Sequence, residues 1–171
     1  MADDGNVITN LNLDAPAANG EDTGPAAGIV SQYIKDLSVE NPNAPASYQW
    51  TEAPEIDVQF NIASKQIEGE LHEVELKISL TSKSDAGTSF IIDLAYCGLI
   101  GMRGLEPEQM HMFTYAEAPR LLFPYARRVI SDAVRDAGFP PFMLEPIDFK
   151  GLYLSQLQSR QEEVGEPVGT A

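Results

Sequence analysis

The segment HEVELKISLT at residues 72–81 decides the fold class, because its apolar and polar residues alternate with a period of two. Its apolar residues all fall on one side: Val74, Leu76, Ile78 and Leu80. Such alternation predicts a β-strand with one buried face. The turn sequence KSDAGT (83–88) follows, and TSFIIDLAYC (88–97) then alternates again. Two alternating segments joined by a short turn predict an antiparallel hairpin.

Two segments before this hairpin alternate in the same way. EIDVQFNIA (55–63) places Ile56, Val58 and Phe60 on one face, and IVSQYIKDLSVE (29–40) precedes it. In residues 29–40, simple alternation predicts one face with Tyr33, Lys35, Leu37 and Val39, and another with Ile34, Asp36, Ser38 and Glu40. The stretch ENPNAP (40–45) between them predicts a loop. We therefore predict a four-stranded antiparallel sheet with one buried face.

After Cys97 the period changes from strand-like to helix-like. GLIGMRG (98–104) predicts a mobile apolar loop, and Pro107 predicts the first turn of a helix that Pro119 interrupts. A second helix is predicted over 121–138, with Gly138 as its C-terminal cap. FPPFMLEP (139–146) is too rich in proline for regular structure, and Asp148 can cap a last helix. Strands followed by helices predict an α+β fold, with the C-terminal helices packed on one face of the sheet.

The chain of 171 residues predicts one folded domain with two tails. Residues 29–158 form the predicted domain. Residues 1–28 and the acidic segment 159–171 have too few large apolar side chains to offset the entropy of ordering, so we predict disorder there. No apolar run approaches the ~20 residues that span a bilayer, and the N-terminus lacks the basic and apolar regions of a signal peptide. We expect a soluble, cytoplasmic protein.

The net charge of −15 argues against binding to nucleic acid or to anionic membranes, which would be repelled. Residues 29–100 contain 11 acidic and 4 basic residues, a balance of −7. Residues 101–158 contain 7 acidic and 6 basic residues, a balance of −1. The strand half therefore carries an acidic field. This field is consistent with a solvated face, or with a docking face for a basic partner.

The sequence predicts no catalytic centre, cofactor or metal site. Cys97, His72 and His111 are the residues that could form a Cys–His pair, and their spacing does not bring them together. No Walker A loop and no G-x-S-x-G nucleophile motif is present. A small-molecule enzyme or binding protein that uses Cys97 or a histidine remains an alternative. The apolar segments GLIGMRGL and FPPFMLEP, together with Trp50, instead predict an oligomer interface or a groove for polypeptides.

Three segments resemble the SecB family of protein-export chaperones: YIKDLSVENPNAP (33–45), LLFPYARRVI (121–130) and GFPPFMLEPIDF (138–149). The resemblance covers residues 29–158. It implies a homotetramer, assembled as a dimer of dimers, that holds unfolded precursor proteins without ATP. It also implies delivery of these precursors to the motor SecA for export across the inner membrane. A SecB-like chaperone dedicated to one partner, such as an antitoxin, uses the same fold and remains an alternative.

The resemblance also implies roles for individual residues. The SecA-binding positions are Asp36, Glu40, Ile91 and Asp93. The strand residues Ile92, Leu94 and Tyr96 are expected to face the helices or the subunit contact. The residues expected to line the groove for unfolded clients are Trp50, Ile56, Val58, Phe60, Leu99, Ile100, Met102, Leu105, Phe142 and Leu144.

Overall fold

A computed structural model describes residues 24–165, with side chains to residue 163, as a sheet covered on one face by helices. The strands are β1 (Ala26–Glu40), β2 (Glu55–Glu68), β3 (Leu71–Ser84) and β4 (Gly87–Arg103). The helices are α1 (Pro107–Met112), α2 (Ala118–Asp136) and α3 (Phe149–Gly165), and a short 3-10 turn at Ala46–Gln49 lies between β1 and β2. The four strands are antiparallel in the order β1-β4-β3-β2, so the predicted α+β class is confirmed.

The folded region extends beyond its predicted limits at both ends. Strand β1 begins at Ala26, inside the predicted N-terminal tail, because residues 26–28 pair with the end of β4. Helix α3 continues to Gly165, inside the predicted C-terminal tail. The rest of the two predicted tails, residues 1–23 and 166–171, lies outside the described residues.

The inner face of the sheet packs against α2 and forms the main core. β3 contributes Leu76, Ile78 and Leu80 to this core and Val74 to a second cluster. All four are buried, as the alternation predicted. From α2, Leu122, Ile130 and Val134 pack against this face and are also buried. Each such side chain contributes on the order of 1.5–3 kcal/mol through removal from water, so this sandwich of sheet and helix supplies most of the stability.

The predicted faces of β1 are wrong, because this strand contains two bulges. The pairing with β4 shifts between Ile29 and Ser31 and again between Ile34 and Asp36, so that Val30 and Lys35 are the extra residues. A bulge reverses the alternation beyond it. Ile34 therefore shares the inner face with Leu37 and Val39, and Tyr33 lies on the outer face. Asp36 and Glu40 still share the outer face, as predicted, because both follow the second bulge.

The predicted loop at residues 98–104 is wrong, because β4 continues through Arg103. Gly98 lies beneath α2, and an added Cβ would be 3.0 Å from Cδ2 of Leu122. The glycine therefore permits close packing of the helix and does not mark a loop. Ile100 and Met102, on the same face as Gly98, are buried in a second core cluster with Val74 and Ala118.

Residues 107–136 form one continuous helical segment, so the predicted interruption at Pro119 is wrong. A π-helical turn at Phe113–Glu117 joins α1 to α2, and the N–H of Ala118 donates to the carbonyl of Phe113, five residues earlier. This wider turn accommodates Pro119, which has no N–H to donate. Other signals are confirmed: Pro107 begins α1, Gly138 has a φ of 93° after α2, and Asp148 Oδ1 accepts from the N–H of Gly151.

Candidate functional site

A groove of about 640 Å³ lies between edge strand β2 and helix α3. We call it the α3 groove. One wall is the middle of β2, at residues 60–62, and the other is the side of α3 that faces the sheet, with α1 and the π-helical turn between them. The lining residues are Phe60, Asn61, Ile62, His111, Tyr115, Phe149, Leu152, Tyr153, Gln156, Leu157 and Arg160.

Aromatic contacts hold the walls of the α3 groove together. Phe149 is buried and packs edge-to-face with Phe60, with ring centroids 5.7 Å apart. His111 Nδ1 lies 2.8 Å from the hydroxyl oxygen of Tyr153, which joins α1 to α3. The His111 ring also packs against Tyr115 at 4.7 Å. These contacts fix the spacing of the walls, so that exposed apolar surface is held open to solvent between them.

The α3 groove combines apolar surface with an exposed strand edge. Phe60 is 38% exposed and Leu152 is 43% exposed, so both present large apolar surface to a ligand. Because β2 is at the edge of the sheet, one side of its backbone is unpaired within the described chain. An extended polypeptide can add to such an edge with main-chain hydrogen bonds. The groove therefore suits an extended apolar segment of polypeptide.

The residues predicted to line a groove fall into several different places. Phe60 lines the α3 groove, and Ile56, Val58 and Phe142 are half-buried against the main core. Trp50 lies at the other end of the sheet, where its ring is 3.2 Å from a Cβ built on Gly87. Leu105 packs beside the second core cluster.

Four of the residues predicted to line the groove lie elsewhere in the structure. Ile100, Met102 and Leu144 are at most 4% exposed and belong to the core. Leu99 lies on the outer face, opposite the helices, because it pairs with Glu73 and Ser31 on that side. For Leu99, Ile100 and Met102 the error arises from the interpretation of residues 98–104 as a loop.

The sequence reasoning missed the side of the groove that α3 supplies. Phe149, Leu152, Tyr153 and Leu157 recur at helical spacing in FKGLYLSQLQ, a pattern that predicts an apolar helix face but not its exposure. The helical spacing of the apolar residues in 149–157 was the signal that could have identified this wall of the groove.

The outer face of the sheet brings together the four residues predicted to bind SecA. Glu40 pairs directly with Ile91, while Ser38 pairs with Asp93 and Asp36 with Ala95. We call Asp36, Glu40, Ile91 and Asp93 the acidic patch. Asp93 Oδ1 accepts a 2.5 Å hydrogen bond from the hydroxyl of Ser79. Within residues 24–165, none of the three carboxylates forms an ion pair, so they can pair with a cationic partner.

Cys97 lies on the outer face of the sheet, opposite the face of His72 and the helices, and is poorly suited to nucleophilic chemistry. It is fully buried under the outer face, and burial together with the nearby Glu73 and Glu75 raises its pKa to about 11. Above it, the Glu73 carboxylate accepts from Lys35 Nζ at 2.6 Å and from Tyr33 Oη at 2.5 Å. These hydrogen bonds lower the pKa of Glu73 and raise that of Tyr33 to about 12. A thiolate would be unfavourable in this setting.

Ile92, Leu94 and Tyr96 face the helices and not a free surface. They are 0%, 0% and 7% exposed and lie in the main core. Of the two expected placements, the helix side is therefore observed within the described chain. The apolar surface that remains open lies beside them, at Ile34, Leu37 and Val39 on the inner face of β1, all more than 40% exposed. We call these three residues the β1 face.

Comparison with known proteins decides the family. A model of the family described as "Preprotein translocase subunit SecB" matches residues 20–160. The chain belongs to the SecB family. The protein-export protein SecB of Novosphingobium aromaticivorans is 62% identical over 100% of both chains. That of Erythrobacter litoralis is 56% identical over 99% of this chain and 96% of the relative.

A solved structure supports the fold independently. A SecB-like chaperone from Mycobacterium tuberculosis, in complex with a peptide from the HigA1 antitoxin, superposes with a TM-score of 0.60 at 20% identity. The match covers 71% of this chain and 90% of that one.

Membership of the SecB family makes the chain a protein-export chaperone and not an enzyme. Among residues 24–165, no helix has both the length and the apolar character needed to cross a membrane.

Proposed function

We propose that this chaperone acts in the cytoplasm as an ATP-independent holdase, and that the α3 groove binds apolar segments of unfolded precursor proteins. The observation that supports this proposal most directly is the exposed apolar pair Phe60 and Leu152 beside the free edge of β2. A client segment would add to the β2 edge and place alternate side chains between β2 and α3. Binding and release in this groove require no nucleotide.

The strength of such binding comes from several weak contacts. Burial of one Leu- or Phe-sized side chain contributes roughly 1.5–3 kcal/mol, which is too little to hold a client alone. Several subsites on linked subunits raise the effective concentration of the next client segment. A protein that folds quickly hides its apolar segments before capture, so slow-folding precursors are the expected clients.

The β1 face supports the proposed assembly as a dimer of dimers. With residues of α2 such as Val129 and Ala133 it lines an open cleft of about 510 Å³, which the charged residues Arg128, Asp132 and Asp136 also border. β1 is the other edge strand of the sheet, so its backbone is also available for pairing. A second copy placed on this edge would cover both features. The assembled particle would then repeat the α3 groove around its surface.

The acidic patch supports the proposed docking of SecA. Three carboxylates and one aliphatic side chain lie along the face opposite the helices, with Ile91 beside Glu40 at one end, and this arrangement suits a basic partner that carries an apolar contact. Because the patch and the α3 groove lie on opposite faces of the sheet, client and SecA can bind at the same time.

Asp36→Lys should weaken SecA binding about tenfold or more, because a cation replaces one of the carboxylates of the patch. Client binding should be unchanged. Isothermal titration of SecA into the variant measures the first quantity. Glu145→Lys is the matched control, since Glu145 is exposed and follows Leu144, which packs in the core on the helix side of the sheet. Parallel loss of client binding in Asp36→Lys would contradict a separate docking face.

The holdase proposal is tested with a chemically denatured, slow-folding precursor diluted into buffer without ATP. We expect the purified protein to suppress light scattering by the precursor, and multi-angle scattering on the same sample to show a particle of about four chains. Aggregation that proceeds despite a particle of that mass would contradict a general holdase and favour a chaperone dedicated to one partner. A monomer would contradict the assembly.

A further inference from the structure

The N-terminal 23 residues contain one apolar segment in an otherwise small and polar sequence. Residues 7–13 read VITNLNL, and their large apolar residues are Val7, Ile8, Leu11 and Leu13. The 23 residues also contain five acidic residues and no lysine or arginine. A segment of this kind has the composition that the α3 groove is suited to bind: several aliphatic side chains close together in sequence, without a proline between them.

The α3 groove is electrostatically unusual in a chain with a net charge of −15. None of its eleven lining residues is acidic, and Arg160 at one end is cationic. Within residues 24–165, Arg160 forms no ion pair. An acidic segment would be repelled by the strand half, whose balance is −7, so the α3 groove, which has no acidic lining residue, is an apolar surface that tolerates its charge.

The point at which the N-terminal segment joins the fold is within reach of the groove. The carbonyl of Gly24 accepts from Arg103 Nη2, and Ala26 pairs with Arg103 at the end of β4. Ile62, at the groove, is aligned with Tyr96 across β3. The two points are separated by three strand spacings of about 4.8 Å across the sheet and by seven residues of about 3.3 Å along the strands. The direct distance between them is on the order of 27 Å. Residues 14–23, fully extended, span at most about 36 Å.

We propose that residues 7–13 bind in the α3 groove of their own chain and compete with unfolded clients. The inference rests on the proposed function of the groove. It adds a minimum affinity that a client must have in order to displace the N-terminal segment. A tether of this length gives the segment an effective concentration in the millimolar range. Even an affinity near millimolar then fills the groove about half of the time. A client with several strong apolar segments displaces the N-terminal segment, whereas a weak one does not.

The test compares client binding by two full-length variants that differ only in the N-terminal segment. The first replaces the apolar residues: Val7→Ser, Ile8→Ser, Leu11→Ser and Leu13→Ser. The matched control replaces their polar neighbours: Asn6→Ser, Thr9→Ser, Asn10→Ser and Asn12→Ser. The probe is fluorescein-labelled α-lactalbumin that has been reduced and carboxymethylated so that it stays unfolded.

We expect the first variant to bind the probe two- to tenfold more tightly than the unmodified chain, and the control variant to match the unmodified chain. Equal affinity for all three proteins would overturn the competition while leaving the holdase function intact. A failure of all three to bind the probe would instead contradict the proposed function of the groove. The two failures are therefore distinguishable.

A cross-link locates the segment directly. With the photo-reactive p-benzoylphenylalanine at position 11 of the full-length chain, we expect cross-linked peptides from residues 60–62 or 149–160. Addition of excess unlabelled probe protein should abolish them. Cross-links confined to the outer face of the sheet, or cross-links that persist with the probe bound, would overturn the proposal even if the affinities change.

Discussion

Leu152→Asp should weaken the binding of an unfolded client at least tenfold, whereas Leu154→Asp should leave it within about twofold of the unmodified chain. The two leucines lie two residues apart on α3 and are similarly exposed, at 43% and 47%. Leu152 lines the α3 groove and Leu154 does not. The pair therefore separates the contribution of the groove from the general effect of an added charge on the helix.

The size of the expected effect follows from two losses. Removal of a Leu contact that is buried by the client costs roughly 1.5–3 kcal/mol, or about ten- to a hundredfold in affinity. The introduced carboxylate must also be desolvated when a client covers it. Neither loss applies at Leu154, which points away from the groove.

Fluorescence anisotropy with the labelled, carboxymethylated α-lactalbumin measures this affinity, and circular dichroism checks the fold. Phe60→Asp on the opposite wall gives a second test, with Gln59→Asp on the outer face of the same strand as its control. Equal affinities for Leu152→Asp and Leu154→Asp, together with an unaffected Phe60→Asp, would show that clients bind elsewhere.

Leu94→Ala should lower the free energy of unfolding by about 2–5 kcal/mol, the range for buried Leu-to-Ala changes. Leu94 is fully buried on central strand β4, paired with Ile78 on β3 and covered by the helices. The alanine would leave a cavity between β4 and the helices. The strands beside β4 are held in the sheet, so they cannot move in to fill this cavity completely. Leu154→Ala, on the exposed side of α3, should cost less than about 1 kcal/mol.

Urea unfolding at fixed protein concentration measures both variants, since assembly links stability to concentration. The same experiment decides how Leu94 acts. A change in particle mass without a change in the unfolding free energy would mean that Leu94 contributes to a subunit contact and not to the core.

The arrangement of surfaces explains how one small fold can serve two partners. The α3 groove lies on the helix side of the sheet, and the acidic patch lies on the outer face with the sheet between them. Substitutions at such separated sites are expected to act independently. Under the proposed roles of the two surfaces, a client would stay bound while SecA docks, which a shared surface would not permit.

The strands could be predicted wherever the pairing on both sides is regular. Alternation in β3 placed Val74, Leu76, Ile78 and Leu80 correctly, because β3 lies between two strands that hold its pleat without a break in this region. In β1, the extra residues Val30 and Lys35 reversed the faces. A bulge is set by the geometry of the partner strand, so the period of β1 alone does not reveal it.

The amino-acid sequence by itself determined the fold class, the four strands, the caps at Pro107, Gly138 and Asp148, and membership of a chaperone family. These depend on local periodicity, on local backbone preferences and on residues matched in order along the chain. Tertiary structure alone decided which apolar residues are exposed. Gly98 and Ile100 form part of a buried strand because α2 packs closely upon it, whereas Phe60 and Leu152 stay open because no described element covers them. Exposure depends on the distance between elements that are far apart in sequence, and no pattern within one element encodes that distance.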